Sequence, residues 1–202
     1  MCSARSSELP PLIAGRLALD FVNTASSAHS FSWNNFIDFL ANANVVNESR
    51  ADRLHSLPLT EAEAATAFLH KIVRLRESLF AVFSAIVRKR AFQKSLTEPI
   101  NEILRVTEGH DELVQSGQLW RLQYIAREQG LEWLLAAIAR SAAELLVEGP
   151  ETPVRRCANP KCRLFFYDDS RTRKRRWCSM AVCGNRQKVA AFFRRKSRSR
   201  IP

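Results

Sequence analysis

Glycine is scarce in this sequence, with 6 in 202 residues, and none of them builds a phosphate-cradling loop or a nucleophile elbow. Long apolar runs are missing too. Nothing approaches the ~20 residues of a membrane-spanning helix. The opening MCSARSSELPPLIAG lacks the sustained apolar stretch of a secretory signal. A soluble cytoplasmic protein without a membrane partner is therefore expected. Four histidines, His29, His55, His70 and His110, are scattered without metal-ligand spacing. No catalytic set emerges, and no enzyme is expected.

What is present is unevenly placed. Hydrophobic residues make up 46% of the chain, enough to bury a core, and the length suits one ordinary domain with a small appendage. The formal charge of +11 sits entirely at one end. Residues 1–150 hold 15 Lys and Arg against 17 Asp and Glu, whereas residues 151–202 hold 16 against 3. Such asymmetry points to a polyanionic partner for the last quarter, nucleic acid or an anionic membrane surface. Cysteine follows the charge: one is Cys2, and the other four lie within 27 residues.

Hydrophobic spacing predicts a mainly α N-terminal domain over 16–150, after a flexible Ser- and Pro-containing lead-in over 1–15. A short helix is expected at 16–24, with Leu17 and Phe21 on one face. Ser32 is a candidate N-cap for a helix carrying Phe36, Ile37, Phe39 and Leu40. A long helix is expected from Thr60 to about Phe92, opened by a Thr60–Glu63 capping box. Its apolar stripe comprises Phe68, Ile72, Leu75, Leu79, Val82, Phe83 and Ile86. Thr97-Glu98-Pro99 should start another helix, running to about Thr107. Alternation over 111–126 around Ser116-Gly117 reads as a β-hairpin, making the domain α+β. A last helix over 131–147 should stop at Gly149-Pro150. Composition changes sharply there, and the natural domain cut falls near 150.

The cysteines read Cys157-x4-Cys162-x15-Cys178-x4-Cys183. Zinc asks for four ligands in a tetrahedron, and two close thiolate pairs supply them with little loop entropy. Ala158-Asn159-Pro160-Lys161 is turn-forming material for a knuckle. Leu164–Tyr167 and Arg175–Trp177 around Asp168-Asp169-Ser170 read as a hairpin. Val189, Phe192 and Phe193 then fall at helical spacing. Knuckle, hairpin and helix over 151–196 resemble a treble-clef zinc finger, followed by a disordered basic tail over 197–202. Buried free cysteines or a pair of disulfides are the competing readings, and a reducing cytoplasm disfavours the second. One structural zinc on Cys157, Cys162, Cys178 and Cys183 also explains how so small a piece folds. Four thiolates leave no open position for catalysis.

At 157–195 the sequence resembles the bacterial CGNR zinc-finger family. Cys183-Gly184-Asn185-Arg186 is the naming tetrapeptide, and Ser170-Arg171 and Arg176-Trp177-Cys178-Ser179-Met180 accompany it. LALDFVNT at 17–24 and AAELL at 142–146 resemble the stress-induced transcription-regulator domain that precedes this finger. The resemblance implies a bacterial transcription regulator with a sensing or interaction domain joined to a DNA-binding finger. Treble-clef nucleases need a histidine in the module, and residues 151–202 contain none.

On that reading, Arg171, Arg173, Lys174, Arg175 and Arg176 meet phosphates from the hairpin, while Arg186, Lys188, Arg194 and Arg195 line a helix sized for the major groove. Some of these could instead pair with Asp168 and Asp169. Trp177 reads as a core residue. Gly184 and Asn185 should serve the turn into the helix, by backbone freedom and capping. Arg16, Asp20, Asn23 and Thr24 are candidates for a small-ligand pocket, with ordinary helix positions as the alternative. Double-stranded DNA is the expected partner, in a nucleoid-associated protein for which a homodimer is one option. An RNA-binding or ribosome-associated zinc module and a protein–protein adaptor are the alternatives.

Overall fold

The predicted helix at 16–24 is present in the computed structural model, which describes residues 10–26, 31–117, 119–149 and 151–198, as α1 (Leu17–Asn23). Six of its seven residues, Ala18 to Asn23, are buried. A helix covered on almost every side belongs at the centre of a fold, and α1 packs against three later elements, the helices Ala62–Val87 and Trp133–Val147 and the strand Phe165–Tyr167. The lead-in is already anchored before α1 begins. Ala14 is fully buried, its N–H donates to Asp20 Oδ1 at 2.9 Å, and its carbonyl accepts from Tyr167 N at 2.7 Å. Cys2 and His29 lie outside the described residues.

Ser32 caps α2 (Trp33–Asn42) as expected, and Asn35 returns the bond to the Ser32 N–H. The next helix, α3 (Glu48–Thr60), was not anticipated. It buries only Ala51 and contains Pro58, so it shows neither an apolar stripe nor a clean helical composition. Pro58 has no N–H for the carbonyl of Leu54, four residues back, and the Trp33 indole supplies one at 2.7 Å.

This helix corrects the expected start of the long one. Thr60 is the last residue of α3, where its hydroxyl donates to the Leu57 carbonyl at 3.1 Å. Glu61 is the joint, and α4 runs over Ala62–Val87. Its end also falls short of Phe92, because Lys89 turns the chain out of the helix with φ 53°. The predicted stripe is buried from Phe68 to Phe83, with Ile86 partly buried at its end.

Helix α5 (Glu98–Val106) carries Pro99 in its first turn, as expected. Strands β1 (Gly109–Ser116) and β2 (Leu119–Ala126) form the predicted hairpin, antiparallel with Leu113 opposite Leu122. Gly117 takes φ 64° in its turn. Helix α6 (Trp133–Val147) buries eight residues and stops before Gly149, at φ 81°.

The C-terminal module departs from the expected order. Its two strands, β3 (Val154–Arg156) and β4 (Phe165–Tyr167), flank the first cysteine pair and hydrogen-bond to each other, with Arg155 opposite Phe166. The predicted pairing of 164–167 with 175–177 does not form. Residues 168–179 are turns and irregular chain held by the buried Asp168 carboxylate. A π-helical turn at Met180–Gly184 leads into α7 (Asn185–Arg198), which extends two residues into the segment expected to be disordered.

Successive side chains of a strand face opposite ways, and β4 uses both faces. Phe165 joins the helical core, 5.6 Å from the Phe80 ring and 6.3 Å from Phe83. Phe166 faces the cysteines with Leu164. Val154 also belongs to the helical core. The change of composition near 150 is therefore not a break in packing.

Candidate metal centre and its basic surroundings

The backbone of the first knuckle sets the sulfurs. Cys162 and Arg163 both donate their N–H groups to the Asn159 carbonyl, at 2.9 and 3.1 Å, and Arg163 takes φ 57° to turn the chain into β4. Cys157 N donates to Leu164 O at 2.8 Å, continuing the β3–β4 ladder up to the knuckle. The second pair comes from the turn before α7. Ser179 caps it by accepting from Val182 N at 3.3 Å, and Gly184 N returns to Ser179 O at 2.9 Å.

These elements bring the Sγ atoms of Cys157, Cys162, Cys178 and Cys183 within 4.8 Å of one another. Cys162 and Cys178 are 3.6 Å apart and Cys178 and Cys183 3.7 Å apart, leaving four free cysteines and no disulfide among them. A zinc tetrahedron with bonds of about 2.3 Å has edges of ~3.8 Å. The set is thus sized for one metal ion and fits one structural zinc. In the all-thiol form, burial pushes Cys162 up to about 11 and raises Cys178 still more. Burial opposes ionisation of Cys183 as well, but donation from Asn159 and from the neighbouring thiols holds it below the ordinary thiol range. A divalent cation supplies the positive charge that these buried groups lack.

Asn159 is the residue that sequence reasoning undervalued. It is 3% exposed, and its amide donates to Cys183 Sγ at 3.4 Å. Its Oδ1 accepts from Lys161 N and from Gln187 Nε2, at 3.1 and 3.2 Å. One side chain thereby ties the knuckle to the helix-borne ligand. An Asn two residues before a turn N–H, followed by Pro160, is the legible signal. Gly184 is needed for space: a Cβ there would lie 2.9 Å from Met180 Sδ. The expected capping by Asn185 takes another form, its amide donating to Ala181 O at 3.1 Å. Trp177 is half-buried against the cysteine cluster.

The basic candidates separate into two kinds. Arg175 is turned inward: it donates from Nε to Trp177 O at 2.9 Å and from a terminal nitrogen to Cys178 O, and it pairs with Asp169 at 3.3 Å. Its backbone N–H reaches Asp168 Oδ2 at 2.9 Å. Asp168 is fully buried, yet bonds from Ser170, Arg175 N and Arg155 outweigh desolvation and keep its carboxyl below the usual range. Arg171, Arg173, Lys174 and Arg176 are exposed, as are Arg186 and Lys188 in the first turn of α7. Arg194 and Arg195 fall on α7 with side chains outside the described residues.

The candidates for a ligand pocket lie along a seam. Both amide atoms of Asn23 clasp the backbone of Phe165, donating to its carbonyl at 2.9 Å and accepting from its N–H at 2.8 Å. Asp20 holds Ala14, and burial pushes its carboxyl up to about 6. The Thr24 hydroxyl donates to Phe21 O at 2.6 Å. Arg16 lies 3.8 Å over the Tyr167 ring, and both reach Glu148. Three of the four therefore join α1 and its approach to the zinc-binding module.

Among the described residues, the four cysteines are the one cluster of metal-ligand type, and no helix is long and apolar enough to cross a membrane. No curated protein matches the chain. Residues 154–196 match the family model of the CGNR zinc finger. Residues 15–149, two thirds of the sequence, match the model described as "Putative stress-induced transcription regulator", and the chain belongs to that family, with a CGNR zinc finger at its C-terminal end.

Proposed function

We propose that this protein is a non-enzymatic transcription regulator that binds double-stranded DNA through its zinc module in the cytoplasm, at the nucleoid. The observation that carries the reading is the exposed cationic set, Arg171, Arg173, Lys174, Arg176, Arg186 and Lys188, in the chain segments on either side of Cys178 and Cys183. Like charges held this close repel one another, and a polyanion relieves that repulsion. The knuckle and the helix-borne Cys183 also support the treble-clef reading of the module. In it, zinc holds two segments at a fixed angle, and recognition lies beside the metal.

The helix α7 presents Arg186 and Lys188 at its start, where a helix entering the major groove reads base edges. The residues at 171–176 reach the phosphates alongside. Random-library selection of duplex DNA at physiological salt tests this, and paired half-sites would reveal a homodimer. A surviving sequence preference is expected, with log affinity falling against log salt with a slope of roughly −5 if all six cations meet phosphate. Charge reversal at Arg173, Lys174 and Arg176 should cost at least ~10-fold in affinity. Equal binding to random duplex and structured RNA, or binding indifferent to that reversal, would overturn the proposal.

A further inference from the structure

A second feature of the basic surroundings is concave. A cavity of about 420 Å³ opens between the end of α4, strand β3 and the 173–176 segment. Six cations line it, Lys89, Arg155, Arg156, Arg173, Arg175 and Arg176, against one carboxylate, Glu151. Two of the six are already committed. Arg155 Nε pairs with the buried Asp168 at 2.8 Å, and Arg175 is bound to Asp169 and the Cys178 carbonyl. Among the described residues, Lys89, Arg156, Arg173 and Arg176 have no carboxylate partner.

The cavity is also partly apolar. Ile86 and Val87 from α4, with Val154 from β3 and Pro153 just before it, supply a wall on the α4 side. Arg156 is held in place by its Nε bond to the Arg163 carbonyl at 2.9 Å and by the Phe165 ring, 5.1 Å away. A positioned guanidinium suits an oxyanion with several acceptors. The volume lies in the range of small-molecule sites. Four unpaired cations beside an apolar wall call for an anion of high charge joined to a flat or apolar body.

We propose that this cavity binds a soluble phosphate ester of nucleotide size, its phosphates on Lys89, Arg156, Arg173 and Arg176. The occupant would bridge the helical domain, through Lys89, and the zinc module, through the arginines. Its binding stands apart from the DNA reading, but its consequence rests on that reading: an occupant that engages Arg173 and Arg176 withdraws them from the duplex. Phosphate of the DNA backbone is the other source of the same chemistry, and Lys89, on the helical domain, tells the two apart.

The test uses the zinc-loaded full chain, with magnesium-ATP as the probe in isothermal titration and a fluorescent duplex in a parallel anisotropy assay. One ATP per chain is expected, with adenosine failing to bind. Lys89→Glu and Arg176→Ala should each weaken ATP at least tenfold at unchanged zinc content, whereas Lys161→Glu, on the knuckle outside the cavity, should stay within twofold. Lys89→Gln provides a milder version should Lys89→Glu unfold the protein. ATP should lower duplex affinity, and Lys89→Glu should leave duplex binding in the absence of ATP within threefold. Unsaturable ATP binding, or cavity variants that bind it like the parent, would overturn the inference. So would a Lys89→Glu loss for duplex as large as the loss for ATP, which would mark the cavity as a backbone-phosphate site. ATP binding without any duplex binding would sustain the inference and sink the DNA reading.

Discussion

Asn159 and Cys183 meet across the metal centre, and their contact separates a ligand from its support. Replacing Cys183 with Ser removes one of four sulfurs, so zinc content should fall well below one per chain by elemental analysis, with loss of folded structure in the module. Asn159→Leu keeps all four sulfurs and removes the amide donated to Cys183, so zinc should still load, with affinity reduced roughly 10–100-fold in a chelator competition. Asp20 offers a different measurement. Its folded carboxyl titrates at about 6 instead of 3.8, because burial penalises its charge. Between those values the folded state binds more protons than the unfolded state. Stability attributable to Asp20 therefore falls as pH rises through that window, by roughly 3 kcal/mol in all. Asp20→Asn should remove that fall and raise stability at pH 7, as read by urea unfolding at pH 4, 5, 6 and 7. A parallel pH dependence in both proteins would contradict it.

At the scale of elements, α1 and β4 are joined by side chain to backbone rather than by a shared sheet. Asn23 gives β4 the two bonds that a neighbouring strand would otherwise give. Asn23→Ala leaves the N–H and carbonyl of Phe165 buried without partners, and should cost about 2–4 kcal/mol in chemical denaturation. The same reasoning explains why α3 was hidden from the sequence. Its Pro58 argues against a helix, and the compensating Trp33 indole lies 25 residues earlier in the chain. Elements with a strong stripe or a turn signal, such as α4, α6 and the β1–β2 hairpin, were legible because their cause is local. The strand pairing of the zinc module was not: aromatic runs at 164–167 and basic runs at 175–177 look alike as strands, and only the knuckle between β3 and β4 brings the true partners together.

At the scale of the molecule, the helical domain and the zinc module share a core. Phe165 and Val154 fill the helical side, while Phe166 and Leu164 cover the cysteines. Truncation after residue 150 should therefore destabilise what remains, since Phe80 and Phe83 lose the Phe165 ring; we expect a Tm several degrees lower, in line with a loss of about 1–3 kcal/mol. A thermal scan of residues 1–150 that matches the full chain would show the two parts to be independent. This coupling also gives the cavity at the junction its meaning, because its walls come from both sides of one packed seam.

By itself the sequence determined the metal ligands, the location of the positive charge and the helices with a clear apolar face. Each follows from residue type and spacing over a short stretch, where chain geometry leaves few alternatives. The tertiary structure decided what those features are used for. It turned Arg175 inward and left its neighbours exposed, and it made Asn23 and Asp20 parts of a seam. It also gathered Lys89 and three arginines at one cavity, although they lie up to 87 positions apart. Such roles depend on which distant groups arrive beside a side chain, and burial and hydrogen-bond satisfaction settle that only once the whole chain is packed.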